Sequence, residues 1–419
     1  MMNFLLSFIS VLLVFLFTLF LSIRWPSIAK IILIAFLVRL TFLLIGNYVS
    51  LPDSTADALT FELKAWEMSQ NGFYYVLTQF RGPDPRFISW IIAIFYSLLD
   101  RSMLMAKSFS LFFGIASVFL GWLLAKKIWD NSIANRIGWT LALFPSLILY
   151  SVLVMREAYI VFFLIVALFG VVNWVQTGTL KSIILAIFGF TGATFFHGGM
   201  AVGGIVFLGF VGLKSLKKFF ISLVNLRINL RAIFSITIFF IVFSFYVTNQ
   251  FSLPYLGSFE NSIDLNNLLK KTDIATRGVA SWPEWTIIKS PIEFFYKGPI
   301  RAMYVAFSPF PWDVIKFKHL IGMFDGLLYV YFTFLIIKNR KIIWKNQSLK
   351  IILIILISYL FVFGIGVGNF GTGIRHRSKF VVLLIMLSGP MLKKIVIKKN
   401  IIIEKPKNKK ILNNIISKN

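Results

Sequence analysis

The stretch FPSLILYSVLVMREAYIVFFLIVALFG, residues 144–170, holds two apolar runs separated by one charged pair, Arg156 and Glu157. The complete runs cover residues 136–154 and 157–175. A helix needs about 20 apolar residues to cross a bilayer, so each run is close to spanning length. Because charge at bilayer depth is expensive, a pair kept there is predicted to line a functional site. An ion pair that serves only packing is the alternative explanation.

Runs of similar length recur along the whole chain, which has 419 residues, 58% of them hydrophobic. They occur at about 4–22, 28–48, 103–125, 136–154, 157–175, 180–196, 199–213, 230–248, 319–337, 349–368 and 378–395. We therefore predict an all-α integral membrane protein with about 11 (10–13) transmembrane helices. Residues 1–395 are expected to form a single polytopic transmembrane domain.

The basic residues set the predicted orientation. A net charge of +27 would suggest a nucleic-acid partner for a soluble protein. Here the lysines and arginines lie in short joins between apolar runs, at 22–30, 126–136, 214–231 and 338–350. These joins are predicted to be cytoplasmic, and nucleic acid is not expected as a partner. The basic cytoplasmic tail, 396–419, is expected to lie against an anionic lipid surface.

Two long segments, about 49–102 and 249–318, are then placed as loops on the outer side. The apolar part of 87–100 is too short to span, and a crossing there would break the alternation of the basic joins. We predict that it forms an interfacial helix. Of the 16 acidic residues, only Asp130 and Glu404 fall on the predicted cytoplasmic side.

The first outer loop begins with LPDSTADALTFELKAWEMSQNG, residues 51–72, and places acids directly after an apolar run. The spacing from Asp57 to Gln70 predicts an amphipathic helix. Its apolar face would comprise Ala58, Phe61, Ala65 and Met68. The acids are candidates for chemistry at the membrane surface. Alternatively, Asp53 or Ser54 caps this helix and Asp57 lies in its first turn.

The segment GNFGTGIRHRSKF, residues 368–380, places Arg375, His376, Arg377 and Lys379 on the predicted outer side. That placement opposes the usual basic-inside bias, which suggests a use. Arginine presents a forked set of donors that matches phosphate oxygens in pairs. Alternatively, these side chains extend to lipid headgroups.

Further candidates lie at other outer positions. His197 precedes two glycines at a turn, although a lone histidine is more often structural than catalytic. Candidate phosphate contacts in the second loop are Arg277 and Arg301, and candidate acids are Glu284 and Asp313. Aromatic residues there that could stack on sugars are Trp282, Trp285, Tyr296 and Trp312. Interfacial aromatic belts explain some of the same residues.

Three of these stretches resemble known families. The acidic loop at 51–72 resembles the first outer loop of C-type membrane glycosyltransferases, which use lipid-linked sugars. The stretch 144–170 is similar to a segment of the same superfamily in which a Pro-Ser helix ends in a short outer loop carrying an acid, here Glu157. The segment 368–380 resembles the C-terminal region of bacterial O-antigen and capsule repeat-unit polymerases.

The resemblance implies that an undecaprenyl-pyrophosphate-linked glycan is transferred to another lipid-linked repeat unit. The site would face the periplasm from the bacterial inner membrane. A carboxylate would be the general base, and the candidate catalytic residues, in order of preference, are Asp57, Glu157 and Asp53. Residues expected to bind substrate or pyrophosphate are Arg156, Arg375, His376, Arg377, Lys379, Arg277, Arg301 and His197.

The expected partners are the lipid-linked oligosaccharide and membrane lipids, and a chain-length regulator and a flippase are further candidates. No organic cofactor and no metal site are expected from the spacing of the residues. A divalent cation held by Asp57 and Glu157 is left open by analogy with metal-using C-type relatives.

Two alternatives remain open. A C-type transferase that uses a polyprenyl-monophosphate sugar donor would share the acidic loop but add one sugar. A lipid-linked oligosaccharide flippase or another transporter would use the arginines to line a pathway, and Arg39, predicted within a span, favours it. The large outer loops and the absence of internal repeats argue against transport.

Overall fold

The computed structural model describes residues 2–224, 237, 240, 244, 280–314 and 317–392. The first half of the chain forms the helices α1 (Met2–Arg24), α2 (Ala29–Ile45), α3 (Asp57–Ser69), α4 (Phe73–Thr78), α5 (Phe87–Leu99), α6 (Met103–Ile128), α7 (Asn131–Leu143), α8 (Pro145–Tyr150), α9 (Glu157–Thr177), α10 (Leu180–Phe196) and α11 (Ala201–Val224). The second half forms α12 (Glu293–Phe307), α13 (Phe317–Lys338), α14 (Arg340–Lys345), α15 (Gln347–Gly366), α16 (Phe370–Ser378) and α17 (Val381–Ser388). Across these described ranges there is no β-strand, only the isolated bridge between Ser281 and Asn369.

The protein is an all-helical membrane protein, as predicted. Within the described residues, five helices are long and apolar enough to cross a membrane: Leu5–Arg24, Met103–Ile128, Glu157–Thr177, Gly198–Ser222 and Gln347–Gly366. Shorter apolar helices occupy Phe87–Leu99, Leu180–Phe196 and Val381–Met391. The count of eleven spans stays a prediction, and most of the run 230–248, much of the second loop and the tail 396–419 lie outside the described residues.

Helices α9 and α10 form the closest antiparallel pair. A Cβ atom added to Gly170 would lie 2.3 Å from the backbone nitrogen of Ala186, and one added to Gly189 would lie 2.2 Å from that of Ala167. Small residues at such contacts let two helix backbones approach and gain dispersion energy in a membrane. The turn between the helices uses Gly178 in the left-handed region, with φ of 64°. This pair holds the start of α9, where Glu157 lies.

The predicted run 136–154 is interrupted. Helix α7 ends at Leu143, α8 covers only Pro145–Tyr150, and residues 151–156 are buried but not helical. Such a break leaves carbonyl oxygens without helical partners. Arg39 of α2 compensates by donating to the carbonyls of Leu141 and Ala142, at 3.3 and 2.7 Å. It also donates to the Ser151 hydroxyl at 3.0 Å, which ties both sides of the break to α2.

Two other buried arginines meet helix ends in the same way. Arg301 donates to the carbonyls of Gly364 and Val367 at the end of α15, at 2.8 and 2.6 Å. Arg377 donates to the carbonyls of Ala306 and Ser308 at the end of α12, at 3.2 and 2.5 Å. A guanidinium is suited to this task because its donors satisfy several acceptors and its charge opposes the negative end of the helix dipole.

Helices α3 and α5 pack against each other, and the predicted amphipathic helix is confirmed as α3. Its buried face includes Ala58, Phe61, Glu62 and Ala65. The Glu62 carboxylate is fully buried and accepts two hydrogen bonds from Arg101, both at 2.9 Å, and one from Tyr96 at 2.9 Å. The sequence places Glu62 among the acids at the membrane surface, whereas the structure buries it, where it anchors α3 to α5. The interfacial position of α5 stays a prediction.

We expect Arg39→Gln to destabilise the protein, because several buried carbonyls at the α7 break would lose their donor. Each unsatisfied buried group costs about 1–3 kcal/mol, so the loss should be at least about 3 kcal/mol. The apparent melting temperature of the purified protein in detergent would measure it. Lys30→Gln, at an exposed position of the same helix, is the matched control. Equal melting temperatures for the two variants would contradict the proposed role of Arg39.

Candidate functional site

Three helix ends meet on one side of the bundle and bring opposite charges together. Asp57 is the first residue of α3, and Glu157 is the first residue of α9. Arg375 lies in the last turn of α16, and Lys379 follows that helix. Acids at helix N-termini and bases at C-termini are each stabilised by the helix dipole, so local structure already favours these positions. The ends converge although they are about 100 to 300 residues apart in sequence.

Arg375 is the centre of this arrangement. Its guanidinium forms an ion pair with Asp57, and its Nε atom lies 3.6 Å from Oε1 of Glu157. The Lys379 ammonium nitrogen lies 3.7 Å from the same Glu157 oxygen. The side chains of Asp57, Arg375 and Glu157 are 45%, 17% and 2% exposed, so the arrangement runs from the surface into the core. Access to it is from the side of Asp57.

Other predicted site residues join the same place. Arg156 precedes Glu157, donates to the Phe196 carbonyl at 3.2 Å and lies 5.1 Å from the ring centroid of Phe61. The charge cluster, as we call it, consists of Asp53, Asp57, Arg156, Glu157, His197, Arg375, His376 and Lys379. Its formal charges are balanced between three acids and three bases, which limits the cost of burial.

Asp53 is held by Tyr150, a residue that sequence analysis did not single out. The Tyr150 hydroxyl donates to Oδ2 of Asp53 at 2.9 Å. Asp53 has a φ of 63°, a left-handed conformation that is uncommon for residues other than glycine. Burial raises the pKa of the Asp53 carboxyl. The Tyr150 hydrogen bond and the Arg375 charge lower this pKa, but the net shift is upward. A tyrosine in an apolar run carries no sequence signal for this contact.

The two histidines of the cluster lie against each other and against Phe363. Their ring centroids are 4.9 Å apart, and Nδ1 of His376 lies 2.8 Å from the Lys379 nitrogen. Burial, followed by the charge of Lys379, lowers the pKa of both histidines well below the usual 6.5. Both imidazoles are therefore neutral near pH 7. They can exchange hydrogen bonds but supply no positive charge to a phosphate.

Glu157 is buried without full compensation. Among the described residues, neither of its carboxylate oxygens accepts a hydrogen bond, although Arg375 and Lys379 lie within ion-pair distance. A small cavity of about 20 Å³ adjoins Glu157, Tyr150 and Ser151. That volume suffices for one water molecule. A buried carboxylate with spare acceptor capacity is better suited to a reacting or ligand-binding site than to a packing pair.

The arginines predicted to bind pyrophosphate divide into two groups. Arg156 and Arg375 lie in the charge cluster. Arg301 and Arg377 do not, since both are fully buried and their guanidinium groups bind backbone carbonyls at helix ends. Arg377 also pairs with Asp325 at 2.8 Å. These contacts give Arg301 and Arg377 a structural role at helix ends, and their contact with pyrophosphate stays a prediction. Arg277 lies outside the described residues.

The predicted sugar-stacking residues of the second loop are also apart from the cluster's ion pairs. Trp282 is buried beneath the Arg301 guanidinium, 5.1 Å from it, and Trp312 stacks on Phe310. Asp313 accepts a hydrogen bond from the backbone nitrogen of Phe310 at 2.9 Å, which stabilises its own turn. These contacts account for Trp282 and Asp313 without a ligand, whereas Trp285, Tyr296 and Trp312 are largely exposed.

The divalent cation remains a prediction. In the part of the chain that the structure describes, no group of three or more His, Asp or Glu side chains is placed to hold a metal ion. Arg375 contacts both Asp57 and Glu157, the two acids expected to bind the cation. A cation bridging them would therefore have to move this guanidinium.

We expect Glu157→Gln to destabilise the protein by about 3–5 kcal/mol, because Arg375 and Lys379 would lose the buried carboxylate between them. The melting temperature should fall clearly. Glu67→Gln, an exposed acid on α3, serves as the control. A Glu157→Gln variant as stable as that control would contradict the stabilising role of the ion pairs from Arg375 and Lys379 to Glu157.

Known proteins offer no match to this chain: no family model, no curated protein and no solved structure matches it. The resemblance to C-type glycosyltransferases and repeat-unit polymerases therefore rests on the three quoted stretches. Function has to be inferred from the charge cluster and its surroundings.

Proposed function

We propose that this protein is a membrane glycosyltransferase of the bacterial inner membrane that polymerises lipid-linked repeat units, as O-antigen and capsule polymerases do. The observation that carries the proposal is Arg375, which pairs with a half-exposed carboxylate, Asp57, and a buried one, Glu157. Glycosyl transfer from a pyrophosphate donor needs a base for the acceptor and a cation for the departing phosphate. Both groups are present here in direct contact.

In the proposed reaction, Asp57 is the general base. Its 45% exposed side chain is accessible to an acceptor hydroxyl, whereas Glu157 is enclosed. Asp57 takes the proton of the hydroxyl while the acceptor oxygen forms a bond to the anomeric carbon of the donor sugar. The bond from that carbon to the pyrophosphate oxygen breaks, and its electron pair stays on the phosphate. Arg375, with Arg156 behind it, stabilises the charge that develops there.

Donor binding and base activation are coupled in this scheme. The Arg375 guanidinium occupies Oδ2 of Asp57, one of the two oxygens that could accept the proton of the acceptor hydroxyl. A pyrophosphate that binds Arg375 competes with Asp57 for the same donors. The carboxylate then becomes free for the acceptor proton only when a donor is present. Glu157 holds Arg375 near the site during this exchange.

The proposed substrate is an undecaprenyl-pyrophosphate-linked oligosaccharide that reaches the site from the periplasmic side. A chain-length regulator and a flippase are proposed partners. A transferase using a polyprenyl-monophosphate donor would use the same base and cation. The buried Arg39 guanidinium is bound to helix-end carbonyls, which weakens the argument that it drew toward the transporter alternative.

We expect Arg375→Ala to abolish polymerisation while the protein is still produced. The host gene would be deleted and complemented with each variant, and lipid-linked and surface polysaccharide would be separated on a gel. Arg375→Ala should leave single capped repeat units without a ladder, and Arg375→Lys should recover only part of it, because lysine lacks the forked donors. Arg340→Ala, at an exposed arginine that begins α14, is the control that should restore the full ladder.

A normal ladder in Arg375→Ala would show that Arg375 is not needed to stabilise the departing pyrophosphate. An unchanged ladder in the deletion strain would remove polymerisation altogether. A shifted mobility of every rung in that strain would instead indicate the monosaccharide transferase.

Asp53, the third candidate acid, is proposed to act in its ionised form beside Asp57, so we expect Tyr150→Phe to move the acid limb of the pH–rate profile to higher pH. The Tyr150 hydrogen bond lowers the pKa of Asp53, so its loss raises that pKa further. An acid that must be ionised for activity then becomes protonated at a higher pH as the pH falls. Transfer rates with purified protein would be compared from acid to neutral pH. If the limb does not move, Asp53 has no part in the reaction.

A further inference from the structure

A cavity with polar and aromatic lining lies between α3 and the segment that leads into α5. We call it the aromatic pocket and define it by Lys64, Gln79, Phe80, Arg81, Asp84 and Trp90. Its volume is about 190 Å³. Pockets that enclose drug-sized ligands measure roughly 300–1,000 Å³, so this one suits a single small unit of a larger ligand.

Two aromatic rings form one wall of the pocket. Phe80 and Trp90 have ring centroids 4.9 Å apart, and the Trp90 indole nitrogen donates to the Val76 carbonyl at 2.8 Å. This bond fixes the indole ring, while Phe80 remains 48% exposed. Aromatic rings offer a flat apolar face to a ligand. The wall is therefore in place before any ligand arrives.

The remaining lining carries hydrogen-bonding groups of both kinds. The donors are Lys64, Arg81 and Arg86, the acceptors are Glu67 and Asp84, and Gln79 is both. An interfacial aromatic belt would turn its rings toward lipid, and charges of both signs around them would be costly there. A phosphate site would be dominated by positive charge. An uncharged ligand with many hydroxyls and an apolar face fits the mixture better, and a sugar ring has this chemistry.

The pocket is connected to the charge cluster by α3 and by charge. Lys64 lies seven residues after Asp57, which is about 10 Å along the helix and on nearly the same side. Asp84 lies close enough for its charge to act on Arg156. A chain of a few sugars can span this distance between the pocket and the proposed base.

We propose that the aromatic pocket is a saccharide subsite that holds a sugar of the acceptor glycan while its terminal hydroxyl lies at Asp57. This inference rests on the proposed function and assigns residues to its acceptor. The subsite acts through binding, and its side chains take no part in bond making.

The test uses the repeat-unit oligosaccharide released from the host's lipid-linked intermediate as the probe. Its binding to the full chain in nanodiscs would be measured by saturation-transfer NMR. We expect Phe80→Leu to weaken binding roughly three- to ten-fold, the loss of about one aromatic contact. Phe80→Leu combined with Arg81→Gln should weaken it further. Tyr74→Leu is the matched control, since Tyr74 is an aromatic residue of the neighbouring helix α4, 84% exposed and outside the pocket.

The kinetic consequence is specific to a binding role. Phe80→Leu should raise the KM for the acceptor with kcat nearly unchanged, whereas a general loss of fold would lower kcat as well. Equal binding by the wild type and both pocket variants would overturn the subsite, as would a wild type that does not bind the probe. If the pocket variants bind weakly but Arg375→Ala makes a normal ladder, the subsite stands and the proposed catalytic role fails.

Discussion

Helices that end inside an apolar bundle determine much of this structure. A helix end leaves up to four carbonyl oxygens without partners, and lipid offers none. The chain meets this constraint with buried arginines: Arg39 at the end of α7, Arg301 at the end of α15 and Arg377 at the end of α12. The breaks are useful because they place irregular backbone, and the charged starts of the next helices, in the interior. Glu157 begins α9 directly after such a break.

The remaining charges gather because each lies at the favourable end of a helix dipole. Acids begin α3 and α9, and bases end α16, so bringing these ends together places opposite charges side by side. Because the opposite charges neutralise one another, the desolvation cost of the charge cluster is lower. Among the described residues, however, Glu157 accepts no hydrogen bond. The remaining cost of burying the Glu157 carboxylate is a reason to regard the charge cluster as a functional site and not only as a packing contact. Glu62 shows the contrast, since Arg101 and Tyr96 satisfy it fully.

The sequence was sufficient to predict a helical membrane protein, the amphipathic helix at 57–70 and the position of acids at helix ends. It did not separate Arg375 from Arg377. Residues two apart on a helix lie about 200° apart around its axis, so these two arginines cannot face one ligand. Arg375 contacts Asp57 and Glu157, and Arg377 contacts Asp325 on the other side of α16. Helical geometry could have predicted that Arg375 and Arg377 face different neighbours. Which of the two faces the charge cluster depends on the unpaired carbonyls at the end of α12, which is distant in sequence.

The anchoring of α3 determines which part of the site can move. Glu62 ties α3 to Arg101 and Tyr96 through three hydrogen bonds in a buried position, and Ser89 of α5 donates to the Phe61 carbonyl at 2.8 Å. The backbone that carries Asp57 is therefore fixed relative to α5 and to the aromatic pocket. Arg375 is held to Asp57 only by a partly exposed ion pair, which solvent weakens. A substrate that separates Asp57 from Arg375 would thus shift the arginine side chain, while the distance from the base to the pocket stays constant.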